Sequence, residues 1–136
     1  MLFGKSPEAA RWLQAALSDP EARKDYSVLL RGEVSAPFVC DRPLRSARGE
    51  PTPSRTEVDP LEVFDHSTLA NVRILTGRRH QIRRHLNHAG HHVVGDTTHG
   101  KGHVNRAFRD GFGLERLFLH ARSVAIAHAP TERLLT

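Results

Sequence analysis

Apolar residues recur at helical spacing in Ala9, Trp12, Leu13, Ala16 and Leu17, which predicts a first helix opening at Ser6-Pro7-Glu8 and closing near Asp19-Pro20. Ser6 offers a capping oxygen, Pro7 fits a first turn that needs no N–H, and Glu8 complements the positive helix end. Met1 to Phe3 read as the end of a strand. Tyr26 to Leu30 form another strand, whose Val28-Leu29-Leu30 run is too continuous for a half-exposed surface. Thr56 to Phe64 and Thr68 to Leu75 are antiparallel partners around the turn-forming Asp65-His66-Ser67. After Gly77, Ile82, Leu86 and Ala89 make the buried stripe of a second helix, with Gly90 as its C-cap. Val93-Val94 leads into Gly95-Asp96, Asn105 to Phe112 predict a short helix, and Leu117-Phe118-Leu119 and Ser123 to Ala127 predict late strands. Without any internal repeat, the pattern is α+β: a mixed, mainly antiparallel sheet with flanking helices.

From Ala36 to Arg55 the periodicity gives way to prolines, arginines and small polar residues, so 36–55 is expected to be a flexible surface loop. The 136 residues suffice for one core. No apolar run approaches the ~20 residues that span a bilayer, and the N-terminus lacks a charged-then-apolar leader pattern. Cys40, the one cysteine, cannot close an internal disulfide or build a thiolate metal site alone. A soluble, cytoplasmic protein is expected. The formal net charge of +5 is unevenly divided: residues 1–75 hold ten basic and eleven acidic side chains, residues 76–136 ten basic and four acidic. A basic face beside a nearly neutral half suits a polyanion, because neutralising phosphates releases counterions.

The densest chemistry lies in Thr76-Gly77-Arg78-Arg79-His80-Gln81-Ile82-Arg83-Arg84-His85-Leu86. On a helical wheel Arg79 and Arg83 flank the apolar stripe, where an arginine stem lies along apolar surface and its guanidinium fork reaches a carboxylate or phosphate. His80 and Arg84 point away from the stripe. This run resembles the arginine-rich motif of the RluA-type pseudouridine synthases, which act on ribosomal and transfer RNA. The likeness extends to Lys24-Asp25-Tyr26 with Val28-Leu29-Leu30-Arg31-Gly32. Gly95-Asp96-Thr97-Thr98-His99-Gly100, Asn105-Arg106, Phe112-Gly113-Leu114 and Arg116-Leu117-Phe118-Leu119-His120-Ala121 are similar to the transfer-RNA members in particular.

The resemblance implies a catalytic domain that turns uridine into pseudouridine without a cofactor, with RNA, and transfer RNA above all, as partner. It assigns Tyr26 to the base-contacting position implicated in removing the C5 proton, and Arg83 to the arginine that pairs with the nucleophilic aspartate. Leu119 takes the apolar pocket wall. Arg78, Arg79, His80 and Gln81 fall to positioning the RNA strand or bracing the loop, and Asp96 to a turn where capping is the expected role. The nucleophile itself sits, in the family, in a His-Arg-Leu-Asp-Arg type motif farther upstream of the tyrosine than Met1 lies from Tyr26. No such motif occurs here; Asp41-Arg42-Pro43 repeats part of its lettering on the wrong side of Tyr26. Residues 1–136 are therefore expected to be a partial catalytic domain, short as well beyond His128-Ala129-Pro130, and inactive alone. Arg83 is left to water, phosphate or another carboxylate. A non-catalytic RNA-binding protein and a histidine metal site over His85, His88, His91, His92, His99 and His103 are the alternatives, the latter without any standard ligand spacing.

Overall fold

The buried run Val28-Leu29-Leu30 lies at the centre of a sheet with apolar layers on both faces, which is why it shows no alternation. The structure, a computed structural model, describes residues 2–113, 116–128 and 133–135. Helix α1 (Pro7–Ser18) is capped as expected, with Ala9 N–H donating to Ser6 Oγ at 3.1 Å. It precedes β1 (Arg23–Arg31), then β2 (Phe38–Cys40), β3 (Leu44–Arg45), β4 (Pro51–Thr52), β5 (Thr56–Phe64) and β6 (Ser67–Ile74). Helices α2 (Gln81–His88) and α3 (Gly102–Phe112) follow, then β7 (Leu119–His128) and β8 (Arg133–Leu135). The main sheet runs β2-β5-β6-β1-β7-β8, and every pairing among the described residues is antiparallel, so the architecture is α+β.

On one face Val28 and Leu30 of β1 meet Val58, Ala70, Val72 and Ile74, and Ile82 and Leu86 of α2 close over them. Leu86 is fully buried, a contribution of about 1.5–3 kcal/mol from burial alone. On the other face Leu29 packs with Val94 and with Phe108 of α3. Residues of odd and even number on β1 thus serve different helices. The β5–β6 hairpin matches the predicted partners, and its register slips between Pro60 and Glu62, leaving Leu61 unpaired. Proline has no N–H for the ladder, which makes this a natural place for a bulge.

Several expectations are corrected. The stretch 36–55 is a surface segment but not a structureless loop: β2 pairs with β5, and β3 and β4 form a hairpin across Ser46–Gly49, with Leu44 buried. Two- and three-residue strands are too short to show a period of two, and prolines around them mask what remains of it. The segment is tied down from α2, where His85 Nε2 lies 2.8 Å from the Arg42 carbonyl and Arg84 Nη2 donates to the Arg45 carbonyl at 2.9 Å. Leu2 and Phe3 are exposed and outside any strand. Helix α2 starts at Gln81, because His80 adopts a left-handed backbone (φ 52°), so Arg78, Arg79 and His80 form a bend before the helix. Val93 makes only an isolated bridge to Leu30, α3 begins at Gly102, and the late segment from Leu119 is one strand. Leu114, Ala129 and Pro130 lie outside the described residues. Among those described, no helix is long and apolar enough to cross a membrane.

Candidate active-site cleft

Tyr26 shares a face of β1 with Val28 and Leu30, but sits where α2 no longer covers the sheet. The gap is a cleft of about 230 Å³ lined by Tyr26, Ile74, Arg78, His80, Gln81, Ile82, Arg83, Leu117 and Leu119. It brings together every site residue expected from the sequence except Arg79, which lines an adjoining groove. Leu119 arrives through β7, whose register sets it opposite Val28, with a shift between Asp25 and Tyr26. Burial pushes the Tyr26 phenol upward, so its hydroxyl is protonated at neutral pH.

Arg83 has found another carboxylate. Its Nε and Nη2 donate to Asp96 Oδ2 and Oδ1, both at 2.8 Å. Oδ1 also accepts the backbone N–H groups of Thr98 (3.0 Å) and His99 (2.8 Å), so Asp96 both closes its turn and clamps the arginine. Burial alone would raise the Asp96 pKa, but Arg83 and the two backbone donors outweigh it and hold the carboxyl at about 2. The Asp96 side chain is 0% exposed and Arg83 17%. Asp96 does not line the cleft, whereas Arg83 does. Two of the five guanidinium N–H donors are spent on Asp96, and three remain.

Of the two roles expected for Gln81, positioning the strand or bracing the loop, its bonds are those of a brace. Its buried amide donates to the Arg55 carbonyl (2.8 Å) and Thr56 Oγ1 (3.0 Å), and its oxygen accepts from Thr76 Oγ1 and the Arg78 N–H. With both ends of the amide used, nothing remains for a ligand. Arg78 Nε donates to the Pro53 carbonyl at 3.0 Å. His80 Nδ1 lies 3.3 Å from His99 Nε2; burial, then Arg83, Arg79 and His99, lowers the His80 pKa. Lys24 on β1 donates to the Leu17 carbonyl, and its pKa is lowered by burial and then by Arg78.

Among the described residues, Asp25 and Asp41 lie elsewhere. Asp25 faces the other side of the sheet, bonded to Arg73 and Asn71, and Asp41 is exposed outside the cleft. The histidines are dispersed: His85 pairs with Thr56 and Arg42, and His91 and His92 each meet a backbone carbonyl. Among the described residues no three His, Cys, Asp or Glu converge as a metal site. Sequence reasoning missed the apolar walls Ile74, Ile82 and Leu117, which read as ordinary core positions. It also missed Asp96 as the partner of Arg83; Gly95-Asp96 followed by small polar residues signalled only the turn.

Comparison with known proteins gives this geometry a family. The family model described as RNA pseudouridylate synthase matches residues 1–88. Transfer-RNA pseudouridine synthase C of Vibrio cholerae is 30% identical over 155 residues, which cover 98% of this chain and 64% of that protein. Ribosomal large subunit pseudouridine synthase C of Vibrio vulnificus is 34% identical over 142 residues, 98% of this chain and 45% of that one. The solved structure of human RNA pseudouridylate synthase domain containing 1 superposes with a TM-score of 0.75 at 25% identity, over 96% of this chain and 60% of that one. The chain therefore belongs to the RNA pseudouridylate synthase family. It spans between about half and two thirds of the length of these relatives.

Proposed function

We propose that the cleft holds a uridine of an RNA strand during its isomerisation to pseudouridine, with transfer RNA as the substrate. The observation that carries the reading is the convergence of Tyr26, Arg83 and Leu119 on one cleft from β1, α2 and β7. In the reaction the bond from N1 to C1′ breaks, the base turns, a bond from C5 to C1′ forms, and the C5 proton leaves as N1 regains one. The atoms balance without redox chemistry or a cofactor. Tyr26 packs on the extruded base and sets its hydroxyl where the C5 proton departs. Leu119 walls the base, and Arg78, Arg79 and His80 hold the strand beside it.

Arg83 orients the attacking carboxylate through the N–H groups that Asp96 leaves unused, and that carboxylate is not among the 136 residues. Asp96 does not replace it, because its carboxylate is buried, clamped by Arg83 and two backbone N–H groups, and does not line the cleft. The choice of transfer RNA over ribosomal RNA rests on the blocks between Gly95 and Ala121, and a cytoplasmic location follows from that substrate. A second reading, a non-catalytic RNA-binding derivative, is favoured by one observation: Arg83 already has a carboxylate without any nucleophile.

Binding of a fluorescent uridine-containing transfer-RNA stem-loop tests the cleft. Tyr26→Ala removes a stacking surface worth about 1–3 kcal/mol, so affinity is expected to fall by tenfold or more. Leu119→Arg, which fills the space, is expected to do the same, and Tyr26→Phe to stay within about twofold. Unchanged affinity in both Tyr26→Ala and Leu119→Arg, with unfolding midpoints intact, would remove the base from this cleft.

A further inference from the structure

Thr56, the first residue of β5, is fully buried, and its hydroxyl lies 2.7 Å from His85 Nδ1 and 3.0 Å from Gln81 Nε2. Neither Thr56 nor His85 lines the cleft. A hydroxyl, an imidazole and an amide buried together are costly unless every hydrogen meets an acceptor. Here the matching also has a direction.

The direction is set by groups with no choice of role. The Arg78 backbone N–H can only donate, so the Gln81 atom 3.1 Å from it is Oε1. The Arg55 carbonyl can only accept, so the Gln81 atom 2.8 Å from it is Nε2. The Arg42 carbonyl likewise only accepts, and His85 therefore carries a hydrogen on Nε2, 2.8 Å away. Thr56 Oγ1 accepts from Gln81 Nε2, which leaves its one hydrogen for His85 Nδ1, where the ring presents its lone pair. Donors thus run one way, from the Arg55 N–H through Thr76 Oγ1 to Gln81, and from Gln81 through Thr56 and His85 to Arg42. Hydrogen bonds in such a series polarise one another, so removing the middle hydroxyl weakens both halves.

What the series holds is the bend ahead of α2. His80 has φ 52°, a left-handed backbone that is costly for a non-glycine residue, and no side chain caps the helix there. The bend is gripped from beneath instead, by Gln81 Oε1 on the Arg78 N–H. We propose that Thr56 and His85 are positioning residues for RNA binding: acting through Gln81, they set where Arg78 and His80 stand at the wall of the cleft, without touching RNA themselves. This rests on the reading of the cleft as a uridine site, in which those two side chains hold the strand, and adds two buried residues to it.

Affinity of the full chain for the transfer-RNA stem-loop tests the role in Thr56→Ser, which keeps the hydroxyl, and Thr56→Val, which keeps the shape and removes it. Thr56→Val is expected to weaken binding about fivefold to tenfold, the equivalent of one lost hydrogen bond, and Thr56→Ser to stay within about twofold. In a chain that also carries Arg78→Ala and His80→Gly, the Thr56→Val loss is expected to shrink below about twofold, because the positioned side chains are gone; a merely structural effect would persist in full. Magnetic resonance of the ring nitrogens in the isotope-labelled wild-type chain needs no variant to fold, and is expected to show His85 protonated at Nε2 and bare at Nδ1 at neutral pH. The opposite tautomer, equal binding by the two Thr56 variants, or an undiminished loss in the combined variant would each overturn the positioning role and leave the cleft standing. No RNA binding by the wild-type chain at low salt would overturn both.

Discussion

Asp96→Ala is expected to cost about 3–5 kcal/mol of folding stability, because it strands the Arg83 guanidinium in a mostly buried site and opens the turn that Asp96 closes. Urea unfolding reads the loss as a lower midpoint. Replacing Arg83 by leucine in the same chain is expected to restore part of it, since an apolar pair avoids the uncompensated charge. The pair also sets the acid limit of the fold. The Asp96 pKa is depressed, to about 2 in the folded state against about 3.9 in an unfolded chain, so its contribution is complete above about pH 5 and lost as pH falls from about 4 to 2. That window carries about 2–3 kcal/mol, and Asp25, also lowered, adds in the same direction. An Asp96→Ala chain within 1 kcal/mol of wild type would show that the clamp has no structural role.

The second large effect lies one residue earlier. Gly95 has φ 86°, and a Cβ there would press into the backbone carbonyl of Arg116 just before β7. Gly95→Ala therefore combines left-handed strain with a clash that only backbone movement relieves, about 3 kcal/mol or more together. The same substitution at Gly49, with φ 82° and open space around the missing Cβ, is expected to cost only about 1–2 kcal/mol. Thermal unfolding of the two variants side by side separates the terms. Equal midpoints would mean that the approach of Arg116 to the turn does not constrain it.

How far the sequence carried depends on the range of each interaction. Helix α1 was legible because its cap, proline and apolar stripe lie within a few residues, and the β5–β6 hairpin because its strands are long and its turn is short. The start of α2 was not legible, since His80 takes a left-handed backbone at a position that no glycine marks. The hairpin in 36–55 was hidden by strands of two residues, and its anchors, the bonds from His85 to Arg42 and from Arg84 to Arg45, join positions about forty apart. Tyr26, Arg78, His80, Gln81, Arg83 and Leu119 of the cleft were singled out by motif resemblance, whereas its walls Ile74, Ile82 and Leu117 and the bonds each residue makes were not. Arg83 meeting Asp96, and Gln81 turning inward to Arg55 and Thr56, are tertiary facts that no local pattern encodes.

The account stands or falls on a carboxylate. Tyr26, Arg83 and Leu119 frame the cleft, while among the described acids Asp96 is clamped by Arg83 and two backbone N–H groups and Asp25 is turned to the far side of the sheet. Incubating the 136-residue chain with unmodified transfer RNA and counting pseudouridine by mass spectrometry tests this most directly. The expected result is RNA bound and no pseudouridine formed. Sustained turnover by this chain would mean that one of its own acids attacks C1′, and would contradict the account.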